Sequence, residues 1–509
     1  MRPRPSWTLS ALAVPLAFAA VKLALHAFAI LRYGWFRDEL YYVACSKHLA
    51  WGYVDHPPLS IALLAASRAL LGDSLVALRT LPALAGAVGI VVIGLLVRAL
   101  GGGRLAQALA CLCAVLAPVY LLLDHLYTMN AFDQLLWTLA AWLLVRALDE
   151  ERPTLWMALG IVMGLGLLNK ISMMWFGGAL FAGLLLTPHR RALGTPWPWL
   201  AGALALAMFV PHLVWQAQNG WPTLEFMRNA TQLKMTRTPL AEFVLQQVLV
   251  MNPATLPVWL GGLVWCLRSS RWRILGLMFL AVALLLVASG TSRPNYLAVA
   301  YPMLLAAGGV AIERLTAARG RTWARAVVIA AVALLGAPVV PMGLPVLPVE
   351  VFIDYQRALG IRTRSQERTA EAELPQHYAD MFGWEEMAER VARVYHGLPP
   401  EERAKCGIYA DNYGEAGAID YFGQRWGLPP ALSGHNSYWL WGPRGVTGEV
   451  LIALGGSRAD QEANFRSVTL ADSVRCEHCM PYERGLPIWV GRGLRMPLRE
   501  LWPRLRMYI

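Results

Sequence analysis

Two short stretches near the start of the chain carry residue types that proton transfer needs. One is Arg37-Asp38-Glu39-Leu40-Tyr41-Tyr42; the other is Gly52-Tyr53-Val54-Asp55-His56-Pro57-Pro58-Leu59. A positioned carboxylate can take the proton from an acceptor hydroxyl or amine, and basic groups beside it can hold a phosphate. A solvated loop with an amphipathic helix is the plain alternative. Lys170 stands between two apolar runs, where it pairs with a phosphate or snorkels to an interface. Arg293, in Arg293-Pro294-Asn295-Tyr296, is a second phosphate clamp or an interface anchor. His212 and Trp215 line a sugar site, or His212 is a structural histidine. Cys476-Glu477-His478-Cys479 is open between a disulfide, two unpaired thiols and a metal site. Asp411 to Gly417 and Ser433 to Tyr438 read as turn chemistry, with contact to an acceptor or sugar as the alternative.

The elements that must hold these residues are apolar. Of 509 residues, 57% are hydrophobic and 15% charged, and the mean hydropathy is +0.43. Soluble proteins carry about 25% charge, so neither a soluble globule nor a disordered chain fits. Apolar runs long enough to span a bilayer fall near 8–31, 77–99, 104–123, 131–147, 154–169, 171–187, 197–216, 244–267, 272–289, 295–313 and 324–342. That makes about eleven, with a shorter run at 57–72. Twelve of the 33 acids precede residue 350. The chain therefore divides into a membrane part, 1–345, and a soluble α/β part, 346–509. Helical periodicity over Trp384–Tyr395 and short apolar runs at Ile408–Ala410, Val450–Leu454 and Ile488–Val490 suit the latter.

Basic residues orient the spans. Arg2 and Arg4 precede the first, and Arg98, Arg104, Arg146, Arg152, Arg190, Arg191, Arg268, Arg271, Arg273, Arg314, Arg319, Arg321 and Arg325 fall in alternate loops. The positive-inside rule then puts the N-terminus inside and the C-terminal part outside. Asp38, Glu39, Asp55, Asp73, Asp124, Asp133, Glu225 and Glu242 gather at the outer side. The net charge of +12 is accounted for by topology and implies no nucleic acid. Cys111, Cys113 and Cys266 lie in apolar runs and read as packing residues.

Asp-Glu-x-Tyr-Tyr after the first span, then Asp-His-Pro-Pro-Leu, resembles the protein mannosyltransferase and aminoarabinose transferase group, glycosyltransferase family 39, among the C-fold membrane glycosyltransferases. The likeness continues in Tyr127-Thr128-Met129-Asn130-Ala131-Phe132-Asp133, in Gly166-Leu167-Leu168-Asn169-Lys170, in Trp215-Gln216 with Gly220-Trp221-Pro222-Thr223, and in Arg293-Pro294-Asn295-Tyr296. It implies a multi-pass protein of the bacterial inner membrane, its C-terminal domain periplasmic, that moves a sugar from a polyprenyl-phosphate donor to an envelope lipid, glycan or protein without metal or cofactor. Asp38 then takes the family's loop-acid position, with Asp55 and Asp133 shaping the site. Glu39, Tyr42, His56, Asn130, Lys170, His212, Arg293 and Tyr296 are the substrate-binding candidates. Two departures stand out: Asp55-His56 replaces an acid-Lys pair before Pro-Pro, and the acid usual at the start of span four is Asn130, with Asp133 a turn later. The rivals are a flippase for lipid-linked sugars, which spans nearly free of charge except at their ends argue against, and a non-catalytic envelope-assembly protein.

Overall fold

The computed structural model describes residues 9–318, 322–361 and 367–509. Arg2, Arg4, Arg319 and Arg321 lie outside the described residues. The chain forms two compact units. The first takes Met1–Arg32, Leu71–Val214 and Arg237–Leu347; the second takes Tyr33–Leu70, Trp215–Thr236 and Pro348–Ile509. Segments 33–70 and 215–236 thus fold with the C-terminal residues rather than with the helices that flank them in sequence.

The first unit is helical. Ala11–Ala29, Leu75–Ala99, Met129–Glu150, Trp197–Gln218, Pro294–Ala317 and Trp323–Met342 are long and apolar enough to cross a bilayer. At about 1.5 Å per residue each covers roughly the 30 Å hydrocarbon thickness, so this is a multi-pass membrane protein. The run at 244–267, expected as one span, is two helices, Leu240–Val250 and Pro253–Arg268, bent by 90°. Asn252 sits at φ +74°, its side chain accepts the Ala254 N–H at 3.1 Å, and Pro253 cannot continue the preceding ladder. The run at 104–123 likewise breaks at Ala117-Pro118 into Arg104–Leu116 and Pro118–Leu123. Six helices, or seven with the bent pair as one span, pass the length test among the described residues, and Arg104–Leu116, Pro153–Asn169, Met173–Leu185 and Arg273–Ser289 are shorter apolar helices.

The spans are also less bare of charge than their composition suggests. Lys22, in the middle of the first helix, lies 2.6 Å from Asp124, and both side chains are about 1% exposed. His26, one turn on, stacks with His125 at 6.1 Å, and the Arg79 guanidinium reaches His125 at 3.2 Å and the Ile30 carbonyl at 3.0 Å. Asp124, counted above among the outer acids, is consumed by this pair. An ion must be paired in so apolar a setting, and the pairing ties the first helix to Asp124, just past Pro118–Leu123.

The second unit contains a five-stranded sheet: β1 (Cys406–Tyr409), β2 (Ala431–Leu432), β3 (Val450–Leu454), β4 (Phe465–Ser473) and β5 (Pro487–Leu494), in the order β2-β1-β3-β5-β4. β1 runs parallel to β2 and β3; β5 runs antiparallel to β3 and β4. In register, Ile408 faces Ala431 and Ile452, and Ile452 faces Val490. Helix Trp384–Gly397 buries Trp384, Met387, Ala388, Val391 and Ala392, the i, i+3, i+4, i+7, i+8 stripe of an amphipathic helix.

Candidate active site

In the second unit, Asp38 lies in the first turn of helix Arg37–Ser46. That helix stacks on helix Tyr413–Phe422 because two glycines of the latter leave room. A Cβ on Gly417 would stand 2.9 Å from the Leu40 carbonyl carbon, and one on Gly414 within 2.4 Å of the Arg37 side chain. The close approach lets the Tyr413 hydroxyl donate to Asp38 Oδ1 at 2.9 Å. Arg37 Nε is 3.6 Å from the same oxygen, and the Asp38 side chain remains 31% exposed. Asp38 is therefore oriented, charge-compensated and still reachable.

Arg37 is itself fixed. It donates to Tyr482 Oη at 2.8 Å and lies 3.7 Å from Asp380. Burial pushes the Asp380 carboxyl up to about 6 against the pull of Arg37. Asn412 caps helix Tyr413–Phe422 through its Oδ1, and its Nδ2 donates to Glu415 at 2.7 Å and Glu483 at 3.3 Å. Burial raises both carboxyls, with the Glu483 charge adding to the rise at Glu415 and Asp380 adding to that at Glu483, which is pushed up to about 8. His435 Nδ1 accepts the Tyr413 backbone N–H at 3.4 Å, so its Nε2 donates to the Ile509 carbonyl at 2.8 Å. Burial keeps this ring neutral, its value pushed down to about 3.

Asp55 is held from the same side of the chain. It accepts from Tyr41 Oη at 2.8 Å, and Tyr41 Oη lies 2.8 Å from Ser437 Oγ. Ser437 is aimed by Asn436, which sits at φ +48° and is tied to the Met507 and Ile509 backbone at 2.9 and 3.0 Å. Burial raises the Asp55 carboxyl, with the neighbouring His56 opposing.

Two binding candidates of this loop turn inward. Glu39 is fully buried and its Oε2 accepts the Phe36 N–H at 2.9 Å, closing the helix N-terminus. His56 is fully buried among Tyr41, Tyr42 and Tyr53 at ring separations of 6.1, 4.7 and 4.9 Å. A phosphate has no access to it in this arrangement. Tyr42, 4% exposed, serves that aromatic box. Gln216 and Thr223 close a turn on each other at 2.6 and 3.2 Å, with Trp221 at φ +59° between them, which accounts for Gly220-Trp221-Pro222-Thr223 as a shaped loop.

The first unit gathers a second set. Lys170 Nζ donates to Asn130 Oδ1 at 2.7 Å, lies 3.5 Å from Asp133 Oδ2 and sits over the Tyr296 ring at 5.1 Å. Ser172 Oγ bonds both Asp133 oxygens at 2.8 Å, and Asn169 donates to the Met129 carbonyl at 2.8 Å. Asp133 is fully buried while Lys170 is 15% exposed, so the acid orients the cation. Arg293 precedes the 3-10 turn Pro294–Ala300 that carries Tyr296. His212 is 2% exposed, its ring 5.0 Å from Phe209.

Tyr413, Ser437, Tyr482 and Asp380 were not singled out individually as site residues in the sequence. The stretches Asp411–Gly417 and Ser433–Tyr438 are the only signal for the first two; each leads into a helix, Tyr413–Phe422 and Ser437–Leu440, whose first residue reaches Asp38 or Tyr41. Cys476 and Cys479 are free thiols here, with Cys479 Sγ 3.4 Å from the Cys476 carbonyl oxygen. No group of three or more metal-ligating side chains occurs among the described residues.

Residues 55–215 match the family model described as dolichyl-phosphate-mannose-protein mannosyltransferase, in keeping with the resemblance read from the loop motifs. The chain is similar to the crystal structure of ArnT from Cupriavidus metallidurans bound to undecaprenyl phosphate: TM-score 0.62 at 15% identity, over 93% of this chain and 97% of that one. The apo form gives 0.62 at 16%, over 94% and 98%. The archaeal oligosaccharyltransferase AglB from Archaeoglobus fulgidus, in complex with an inhibitory peptide and a dolichol-phosphate, gives 0.55 at 11%, over 88% and 69%. No curated protein matches by sequence. The chain has the fold of the C-type membrane glycosyltransferases.

Proposed function

We propose that this chain is a membrane glycosyltransferase that moves a sugar from a polyprenyl-phosphate donor to an acceptor of the cell envelope. The observation that carries the reading is Asp38: a carboxylate one-third exposed, aimed by Tyr413 and Arg37, in a fold shared with ArnT and AglB. The acceptor oxygen or nitrogen attacks the anomeric carbon, the bond from that carbon to the phosphate oxygen breaks, and Asp38 takes the acceptor's proton. The polyprenyl phosphate leaves with the bonding pair, so one displacement inverts the anomeric centre. Lys170, steadied by Asp133 and Asn130, and Arg293 neutralise the charge that grows on the leaving phosphate. Asp55 shapes the acceptor side, and Tyr413 is a positioning residue for Asp38.

The same reading implies eleven crossings, some by helices of 13–17 residues, with an inside N-terminus, the C-terminal domain, 346–509, in the periplasm and the inner membrane as the location. Comparison of lipid-linked and envelope glycans in a deletion strain, its parent, and the deletion complemented with wild type or Asp38→Asn tests it. A sugar missing from the deletion and restored only by wild type supports transfer. A glycan profile restored in full by Asp38→Asn refutes the role of Asp38, and a deletion profile identical to the parent refutes the reaction.

A further inference from the structure

The parallel strands of the second unit are wound in both directions from β1. The chain leaves β1 through helix Tyr413–Phe422 to β2 on one side, and continues to β3 on the other. In open α/β sheets the crevice beyond the carboxyl ends of the strands, where the winding reverses, is where ligands sit. A cavity of about 310 Å³ opens there, lined by the residues that follow β1 and β3 and by the underside of Leu498–Leu505.

Its floor is apolar, built from Leu451, Ala453 and Phe465. Its polar lining is Tyr409, Asp411, Asp460, Gln461 and Asn464, two carboxylates among them. Asp411 lies two residues past β1; its backbone N–H donates to Glu415 at 2.9 Å, and among the described residues its carboxylate has no partner. The amide nitrogens of Gln461 and Asn464 each donate one N–H to the Gly455 and Asp460 carbonyls at 3.1 and 2.8 Å, which fixes both side chains with an oxygen and one further N–H to offer. Gly455 and Gly456, at φ +78° and +72°, turn the chain off the end of β3 and keep the rim open. Among the described residues no lysine or arginine lines the cavity.

A carboxylate without a partner and no cation repel a phosphate and favour a ligand that donates hydrogen bonds. We infer that this cavity binds a neutral or amine-bearing monosaccharide glycoside, its hydroxyl or ammonium groups on Asp411, Gln461 and Asn464 and its C–H face on the leucine floor. The volume is at the small end for ligand pockets, which run from about 300 to 1,000 Å³, and suits one sugar ring with a short apolar substituent. The site is separate from the transfer chemistry, although Asp411 stands two residues before Tyr413.

The test is isothermal titration of the full chain in lipid nanodiscs with p-nitrophenyl glycosides of glucose, mannose and glucosamine, with p-nitrophenyl phosphate as the anionic control. Expected is saturable binding of at least one glycoside, at least tenfold weaker in Asp411→Ala and lost in Asn464→Trp, which fills the rim, with no binding of the phosphate. Asp38→Asn should bind the glycoside like wild type, so failure of the transfer reading and failure of this one are told apart. Absence of glycoside binding, binding unchanged in either rim variant, or equal binding of the phosphate overturns the inference.

Discussion

Changing Tyr413 to Phe removes one oxygen from the protein, and that oxygen donates to Asp38 at 2.9 Å. The ring stays stacked on Tyr41 at 4.6 Å and beside the Arg37 guanidinium at 5.5 Å, so the helix it begins keeps its seat. A hydrogen bond to a charged group contributes about 1.5–3 kcal/mol. Asp38 is 31% exposed, so water makes up part of the loss and about 1.4 kcal/mol remains, which is tenfold in rate. Initial rates of sugar transfer in proteoliposomes, over a range of donor concentrations, should show kcat lowered about tenfold and donor KM within twofold of wild type. Thermal unfolding followed on the same preparation should be nearly unchanged. A kcat within twofold of wild type would refute the positioning role, as would a loss of rate that tracks a loss of folded protein.

Asp38→Asn should lower turnover by about 10²–10⁴-fold, the usual contribution of a general base, while Glu39→Gln should act on folding through the Phe36 cap and leave kcat within a few-fold; the reverse ranking in steady-state assays counts against the assignment. Lys170→Ala and Arg293→Ala should each raise donor KM or lower turnover without loss of insertion, and normal values for both would remove the phosphate clamp. Lys22→Met or Asp124→Leu alone leaves one ion buried and should cost about 3–5 kcal/mol, whereas the double change should recover most of it; denaturation midpoints of the four proteins check this. Glu483 is protonated in the folded protein up to about pH 8, above the ordinary carboxylate range, so its contribution to stability is present at low pH and fades as pH rises toward 8. Glu483→Gln should therefore gain in melting temperature relative to wild type as pH rises from about 5 to 8, and a difference independent of pH would contradict this.

The membrane helices were legible because composition and run length report directly on burial in hydrocarbon. The loop acids were legible because Asp38-Glu39 and Asp55-His56-Pro57-Pro58 are dense, local motifs. The break at Asn252 had a signal, the Asn-Pro dipeptide, that a hydropathy window averages away. Lys22 was masked in the same manner, since one lysine barely lowers the mean of a long apolar run. Strand β4 was missed because Phe465–Ser473 is an edge strand with most of its side chains exposed, so it lacks an apolar run. The partners of the acids were out of reach for another reason: 375 residues separate Tyr413 from Asp38 and 396 separate Ser437 from Tyr41. No periodicity or spacing encodes a contact of that range.

That separation also has a clock. Translation proceeds at about 5–20 residues per second, so the Tyr413 codon is read roughly 20–75 s after that of Asp38. During this interval Arg37–Ser46, one of the first segments synthesised, has neither the hydroxyl that holds its acid nor the two glycines it leans on. It must wait with its carboxylates hydrated and its Leu40 face uncovered until the last fifth of the chain emerges. Nascent chains stalled before residue 413 should consequently show this helix cut by protease while the earlier membrane helices are already protected.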